Sequence, residues 1–545
     1  MKIGIDLDNT IISYNEAFLS IAKKQRFIDK NIYGSKQEIK EIIQNNHKGE
    51  IIWQKLQGLV YGKYIDEAKI YQGFKRFVWR CYFQNISVYV ISHKTEFGHQ
   101  DKENIPLRKA ALNFLKSNEL ITDIDGRFFK EIHFTSTREE KIDKINEYQF
   151  DWFIDDLQEV ICHKNINHTT NKILFSNTKN MLSNNSISLS SWEQIEKRIL
   201  GPLSNDEIKE ICIENLTEKV SCVEWVGGRG NSGVYKVIFS DQDKKKLALK
   251  IYSYKKNNST LFAEFEGTKK MVEENIKNVA MPVVSNMEFS LAYYEWIDGC
   301  HILKPNNENL DDAITFLKRL HSLRDKKKFS DFPRASAACF SGLDIELQLK
   351  ERISNLRKAR YKSQELNLYL TNELEPFVKI AIDWSRKNWE KIGDFDRELS
   401  KKDLTLSPSD FGFHNSLIRD NGEIAFHDFE YFGWDDPVKL IVDFSLHPGM
   451  NLDQKILDKW FRGTKNIYGE NTISRLKAAW PLYALCWALI YLNEYLDNVW
   501  ERRILADPGK IEERETILEN QLKLSKELLM LIKNNYKENK IIGNF

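Results

Sequence analysis

The 545-residue sequence predicts an α/β domain built on a parallel sheet, followed by an α+β domain with a small β-rich lobe and a larger helical lobe. Three observations predict it. The first 200 residues hold short apolar runs (KIGID, SVYVIS, EIHFTS, DWFIDD, KILFS), with helix-like segments such as LRKAALNFLKS (107–117) and REEKIDKINEY (138–148) between them. Beyond about 217 the pattern turns strand-rich, with VEWVGG, GVYKVIFS and KLALKIYS. From about 308 it is mainly helical, interrupted by loops at 403–437.

The apolar runs are rich in Ile, Val and aromatics and have the length of buried strands. Strand–helix alternation implies a parallel sheet with helices on both faces. Ligands in such sheets bind beyond the carboxyl ends of the strands, where several of these runs become polar. Residues about 15–70 are helical in pattern and read as a small cap. A polar Asn/Ser-rich stretch, NTKNMLSNNSIS (177–188), follows the last run, SWEQIEKRIL closes the domain, and GPLSNDE (201–207) reads as a turn and helix start. The expected division is therefore 1–200 and 205–545, the latter with lobes at about 217–300 and 301–545. In the first lobe the strands read as antiparallel with a turn at SDQDKK, followed by a helix at about 260–275 and further strand in VVSNMEFSLAYYEWIDG. The segment 509–538 reads as a long amphipathic packing helix.

Composition narrows the function. The length suggests about three domains or lobes. A net charge of +1 gives no global drive toward nucleic acid or membrane. Seven cysteines are scattered singly with no CxxC, so neither a metal-thiolate site nor a disulfide framework is expected, and reduced cytoplasmic thiols fit. Met1-Lys2 runs directly into an apolar strand, unlike a signal peptide. The longest apolar stretch, PLYALCWALIYL (481–492), is shorter than the roughly 20 residues that span a bilayer.

Two sets of residues carry chemistry. In IGIDLDNT, Asp6 and Asp8 alternate on the expected strand and so can share a face. One carboxylate can attack phosphorus to form an aspartyl-phosphate. The other can protonate the leaving alkoxide and then deprotonate water. Phosphate beside carboxylates requires a cation, and Mg²⁺ prefers such oxygen donors. Asp155 and Asp156 in DWFIDD can supply that carboxylate, Ser92 a hydroxyl and Lys141 positive charge, with Lys144 as a less favoured alternative. His93 and Lys94 could touch substrate but read more readily as surface residues, and His99 as unremarkable. In this order DLDNT, VYVIS, EEK and FIDD resemble the haloacid dehalogenase-like phosphatase superfamily over about residues 1–197. The resemblance implies a Rossmann-like domain in which Asp6 is the nucleophile and Asp8 the acid/base. It implies that Ser92 and Lys141 bind phosphate, and that Asp155, ahead of Asp156, joins Asp6 and Asp8 around the metal.

The second set begins at GGRGNSGVYKV (227–237), a glycine-rich turn whose Gly228, Gly230, Asn231 and Ser232 can face phosphate through backbone N–H groups. Lys250 follows in LALKIY and can reach nucleotide phosphates, with Glu264, or Glu266, as its helix-borne partner. Later, Asp410 is followed by Asn415 in SDFGFHNSL, and Asp428 sits in HDFEYFG. One Asp can activate an acceptor hydroxyl while Asn and the second Asp hold Mg²⁺ on the nucleotide. This arrangement is similar to the aminoglycoside phosphotransferase and choline kinase family across roughly 217–500, with YYEWIDG, FLKRLHSL and WPLYALCWALIYL in support. The resemblance implies a protein-kinase-like fold, ATP or GTP with Mg²⁺, and a small hydroxylated acceptor. Asp410 would be the base, Asn415 and Asp428 metal ligands, Lys250 the phosphate anchor and Glu264 its partner. The family commonly has His two positions before the base; this chain has Pro408. His414 faces either substrate or the fold. Trp434, Asp435 and Asp436 can border the acceptor. Trp480, Trp487, Tyr491 and Tyr495 recur at helical spacing, either as a cation cage for choline or, more in keeping with the pattern, as a packed helix face.

The expected function is a bifunctional phosphatase and small-molecule kinase acting at different positions of one metabolite, a sugar or sugar phosphate of nucleotide-sugar or surface-polysaccharide metabolism. Alternatives are a choline, amino-alcohol or aminoglycoside kinase with an accessory phosphatase, a nucleic-acid end-healing enzyme, and a ligand-binding regulator without turnover. The end-healing reading would want a P-loop and a basic groove, and no GxxxxGK[ST] is present.

Overall fold

The computed structural model describes residues 1–98, 100, 103–122, 127–176, 185–227, 232–241, 245–254, 259–389, 391–450, 452–506 and 512–537. The chain divides into two compact units, Met1–Ile211 and Cys212–Phe545.

The first unit is built on six parallel strands: β1 (Lys2–Ile5), β2 (Ser87–His93), β3 (Glu131–Thr135), β4 (Trp152–Asp155), β5 (Asn171–Phe175) and β6 (Ser186–Leu189). Their spatial order is β3-β2-β1-β4-β5-β6, so the chain reverses its direction of travel across the sheet beside β1. That is the switch point at which open α/β sheets bind ligands. Alternation sends side chains to two cores. Val88, Val90, Ile154 and Ile173 pack on one face with the cap helices and Trp192. Tyr89, Ile91, Phe153 and Leu174 pack on the other with Ile142 and Ile145. A Cβ at Gly4 would meet the ring of Phe150 at 2.6 Å, so the central strand needs glycine there. Strand β6 overlaps the end of the stretch read from the sequence as polar. Its residues are half-buried at the sheet edge, and SISL has no apolar run to betray it.

Three helices, Asn15–Lys24, Lys36–Gln44 and Gly49–Tyr61, are inserted after β1. A two-residue antiparallel ladder, Ile12–Ser13 with Lys69–Ile70, closes the base of this insertion. Deep in the unit, Arg76 and Arg80 share Glu196, and Arg80 also pairs with Glu207 at 2.7 Å. This ties the helix Phe74–Phe83 to the helix Trp192–Leu200.

The second unit opens with five antiparallel strands, β7 (Val220–Gly227), β8 (Ser232–Phe239), β9 (Lys246–Tyr252), β10 (Pro282–Asn286) and β11 (Leu291–Glu295), in the order β10-β11-β9-β8-β7. The helix Ser259–Glu273 follows β9. Helices from Asn307 onward form the larger lobe around one extensive core. Two small ladders fix its loops. Thr405–Ser407 pairs with Gly433–Asp435, and Ser416–Arg419 pairs with Ile424–Phe426 and Gly299–His301. They bracket the segments that carry Asp410, Asn415 and Asp428. Among the described residues no helix is long and apolar enough to cross a membrane.

Candidate active sites

In the first unit the chemistry collects at the carboxyl ends of β1, β2 and β4. Strand β1 stops at Ile5, so Asp6 and Asp8 lie on the loop beyond it and not on the strand expected from their spacing. The loop turns through Asn9, at φ 59°. The backbone N–H of Asp6 still donates to the Ile154 carbonyl at 2.9 Å, which registers the loop against β4. Lys141, from the helix Arg138–Tyr148, places its ammonium 2.6 Å from both Asp6 and Asp155. Carboxylate oxygens of Asp6, Asp155 and Asp156 all lie within 4.8 Å of one another.

The electrostatics follow from that crowding. Burial opposes the charge on Lys141, but Asp155 and Asp6 overcome it and hold the ammonium above its ordinary range. One cation for several acids leaves the Asp6 carboxyl well above the usual carboxylate range, through burial and with Asp155 and Asp156 adding to it. Asp156 is pushed up to about 7, again by burial first and Asp155 second. Ser92 and Thr10 are fully buried, and their hydroxyls have no hydrogen-bond partner among the described residues.

Asp8 is held separately. The hydroxyl of Tyr14 donates to it at 2.8 Å, and Lys94 contacts both oxygens at 2.9 and 2.7 Å. Lys94 is 4 % exposed, which corrects its reading as a surface residue. It follows β2 directly and its backbone bonds to Thr135 at the end of β3, so the sheet carries it inward. From the cap, Lys36 donates to the Asn9 amide oxygen at 3.1 Å and to the Tyr61 hydroxyl at 3.0 Å. Sequence reasoning gave Lys94 substrate contact only as the lesser reading, and it missed Tyr14, Lys36 and Tyr61. Lys94 had a signal, two residues past Ser92 at a strand end; the cap residues belong to no motif. Lys144 pairs with Glu147 on the surface, and exposed His93 meets the Ser136 carbonyl. His99 lies outside the described residues.

In the second unit Lys250, buried on β9, lies 2.7 Å from Glu264, 2.5 Å from Asp428 and 3.6 Å from Glu430. Burial alone would lower its pKa, but Asp428 and Glu264 hold it well above the ordinary value. Glu264 is fixed in turn by the Tyr252 hydroxyl at 2.7 Å and the Phe429 N–H at 3.3 Å. Glu266, the alternative partner, is half-buried on the same helix. Asp428 sits at φ 68°, a conformation that turns the chain sharply just after Phe426. Of the glycine-rich turn, Gly228, Gly230 and Asn231 lie outside the described residues. Ser232 starts β8, opposite Tyr252.

Asp410 is held by histidines. The Nε2 of His414 is 3.1 Å from its Oδ1, and that of His447 is 3.9 Å away. The two rings stack at 3.8 Å. The Gly449 N–H donates to Nδ1 of His447 at 3.1 Å, which leaves the proton of the neutral ring on Nε2, facing Asp410. At 3.9 Å that ring faces Asp410 without a hydrogen bond to it. Asn415 turns its amide onto the Asp410 carbonyl at 3.0 Å, and its own carbonyl accepts from the His427 N–H. At Pro408 the chain runs into Ser409, at φ 66°. Imidazole contact with Asp410 thus comes from residues after it in the chain.

Three further expectations change. Asp435 is fully buried and accepts the N–H groups of Cys339 and Asp436. Asp436 caps the helix Pro437–Leu446 and pairs with buried Arg475 at 2.9 Å, while Trp434 bonds the Phe329 carbonyl. These residues build the fold instead of bordering an acceptor. Trp480 is fully buried, Trp487 is bonded to Asp443 at 2.9 Å, and Tyr495 is bonded to the Leu518 carbonyl, as a packed helix face requires.

No family model and no curated protein matches the chain. Among solved structures it is similar to a spectinomycin phosphotransferase in complex with ADP and spectinomycin, with 12 % identity and a TM-score of 0.42 over 60 % of this chain and 99 % of that one. It is similar to the aminoglycoside phosphotransferase APH(2″)-IIa in complex with gentamicin, with 17 % identity and a TM-score of 0.40 over 58 % of this chain and 96 % of that one. A choline kinase from Cryptosporidium parvum gives 13 % identity and a TM-score of 0.38 over 60 % of this chain and 96 % of that one.

Proposed function

We propose that the second unit is a small-molecule O-phosphotransferase. The observation that carries this is Lys250, a buried strand ammonium joined at once to Glu264 on the adjacent helix and to Asp428. An ammonium so placed can neutralise nucleotide phosphates. Asp428 and Asn415 offer the oxygen donors that Mg²⁺ takes, and the ion would supply charge neutralisation on the phosphates of ATP or GTP. Asp410 accepts the proton of the acceptor hydroxyl as its oxygen bonds to phosphorus and the nucleoside diphosphate departs. The acceptor we favour is a sugar or sugar phosphate. Choline, another amino alcohol or an aminoglycoside is the alternative acceptor: Trp480 is packed away, but Trp487 stands edge-on to His447, beside Asp410.

The first unit supports a second activity, phosphomonoester hydrolysis, on the convergence of Asp6, Asp155 and Lys141. Asp6 attacks phosphorus as the bond to the alcohol oxygen breaks, and Asp8 protonates that oxygen; Asp8 then takes a proton from the water that cleaves the aspartyl-phosphate to inorganic phosphate and free Asp6, while Lys141 with the Ser92 hydroxyl receives phosphoryl oxygens. Three crowded carboxylates fit Mg²⁺, held by Asp6, Asp155 and Asp156. The ion would neutralise the phosphoryl charge there.

Two variants test both readings. Asp6→Asn abolishes Mg²⁺-dependent hydrolysis of an aryl phosphate and spares ATP turnover, and Asp410→Ala does the reverse. Wild-type protein without either turnover would leave ligand binding as the function.

A further inference from the structure

We infer that the substrate of the first unit carries a second anionic group on its leaving-group side, received by Lys36. The inference rests on the phosphatase reading above and names the class of its substrate: a phosphomonoester whose alcohol also bears a carboxylate or a second phosphate.

Asp8, as the acid that protonates the leaving oxygen, marks where the alcohol portion lies. Around Asp8 stand Tyr14 and Lys94, and next to them the ring of Tyr61, which has Lys94 at 4.8 Å from its centroid and Lys36 at 5.6 Å. Two ammoniums thus flank one phenol ring beside the position of the leaving group.

The three lysines differ in what answers their charge. Lys141 has Asp6 and Asp155, and Lys94 has Asp8. Lys36 donates only to neutral oxygens, those of Asn9 and Tyr61, and among the described residues no carboxylate stands within ion-pair distance of it. Glu38, the acid two residues along, accepts from the Ser35 backbone N–H and hydroxyl at 2.6 and 2.8 Å. Lys36 is also the first residue of its helix, the end where the macrodipole disfavours a cation. Burial lowers its pKa, with Asp8 and Asp156 opposing from a distance. A half-buried ammonium kept against its helix dipole, bonded to the loop that carries Asp6 and Asp8, is a receptor for an anion that the protein does not supply. The phosphoryl group has its own partners in Lys141 and Ser92. The anion therefore belongs to the rest of the substrate, and it takes no part in making or breaking bonds.

The test compares kcat/KM of the full-length wild type and Lys36→Met on ethyl phosphate, phosphoglycolate and propane-1,3-diol bisphosphate. Wild type should prefer one or both doubly anionic esters over ethyl phosphate by tenfold or more. The carboxylate and bisphosphate arms tell which anion is used. Lys36→Met should lose at least tenfold on the preferred ester and less than threefold on ethyl phosphate, with Lys36→Arg recovering much of the loss. Equal losses on all esters, or none on any, would overturn the inference while leaving the phosphatase reading in place. No turnover of any ester by wild type would end that reading, and the inference with it. A thermal melt of each variant checks that it is folded, and the ethyl phosphate rate serves as an internal control.

Discussion

The ammonium of Lys94 lies 2.7 and 2.9 Å from the two carboxylate oxygens of Asp8. Together with the Tyr14 hydroxyl it fixes the direction of the group proposed to protonate the leaving oxygen. Lys94→Met should therefore lower kcat/KM for hydrolysis of an aryl phosphate by about 10²-fold, the lower end of what a positioned acid contributes. ATP turnover by the second unit should not change. Steady-state assays of both activities on the same preparation check this, and an unaltered hydrolysis rate would remove Asp8 and Lys94 from the mechanism.

Asp410 is half-buried, and its partial burial alone would raise its pKa. The His414 hydrogen bond, with the nearby His447, holds it below the usual carboxylate range. Removing the imidazole in His414→Leu lets burial prevail. The acid limb of the kinase pH profile should then move upward, because a protonated Asp410 cannot accept a proton. Kinase kcat/KM across pH 4 to 8 (about this window follows from ordinary carboxylate and imidazole values) reads the shift. An unmoved limb would show that Asp410 does not set the rate.

Arg80 is 1 % exposed and bound to Glu196 and Glu207. Arg80→Met leaves two acids buried with half their compensation, which costs about 3–5 kcal/mol when such a pair is broken. The urea midpoint for loss of phosphatase activity should fall while that for kinase activity holds. Equal falls in both would contradict a network confined to the first unit.

Asp435 is fully buried and its pKa is pushed up to about 8, by burial first, with Lys439 and two backbone N–H groups opposing. Its folded pKa therefore exceeds its unfolded one, and the folded state holds the extra proton between about pH 4 and 8. Stability from this group is present at low pH and is lost as pH rises through that window. Asp435→Asn keeps the acceptor oxygen and cannot ionise. It should flatten the fall in melting temperature of the second unit between pH 5 and 8 (about the window just derived), and a parallel fall in the variant would refute the assignment.

Much of this architecture was legible because its signals are local. KIGID and DWFIDD are apolar runs that stop at carboxylates, and β1 and β4 end at Ile5 and Asp155. Lys250, an ammonium ending an apolar run, needed an acid, and Glu264 lies 2.7 Å away. What was illegible depends on tertiary placement. Lys36 and Tyr61 sit in inserted helices whose pattern reports only packing, and they meet the loop that carries Asp6 and Asp8 through a long insertion. Asp435 and Asp436 looked like site residues because they follow a motif, yet sequence does not show that a side chain is enclosed. β6 escaped notice because an edge strand of serines buries too little to leave a pattern.

Lys141 has a consequence for the resting protein. Its ammonium already answers two of the acids that would hold Mg²⁺, so the first unit carries an internal counter-ion. Stripping divalent ions with a chelator should silence hydrolysis yet leave the melting temperature nearly untouched, and readdition should restore turnover without refolding. Lys141→Met loses that safeguard, and its fold should depend on the ion being present.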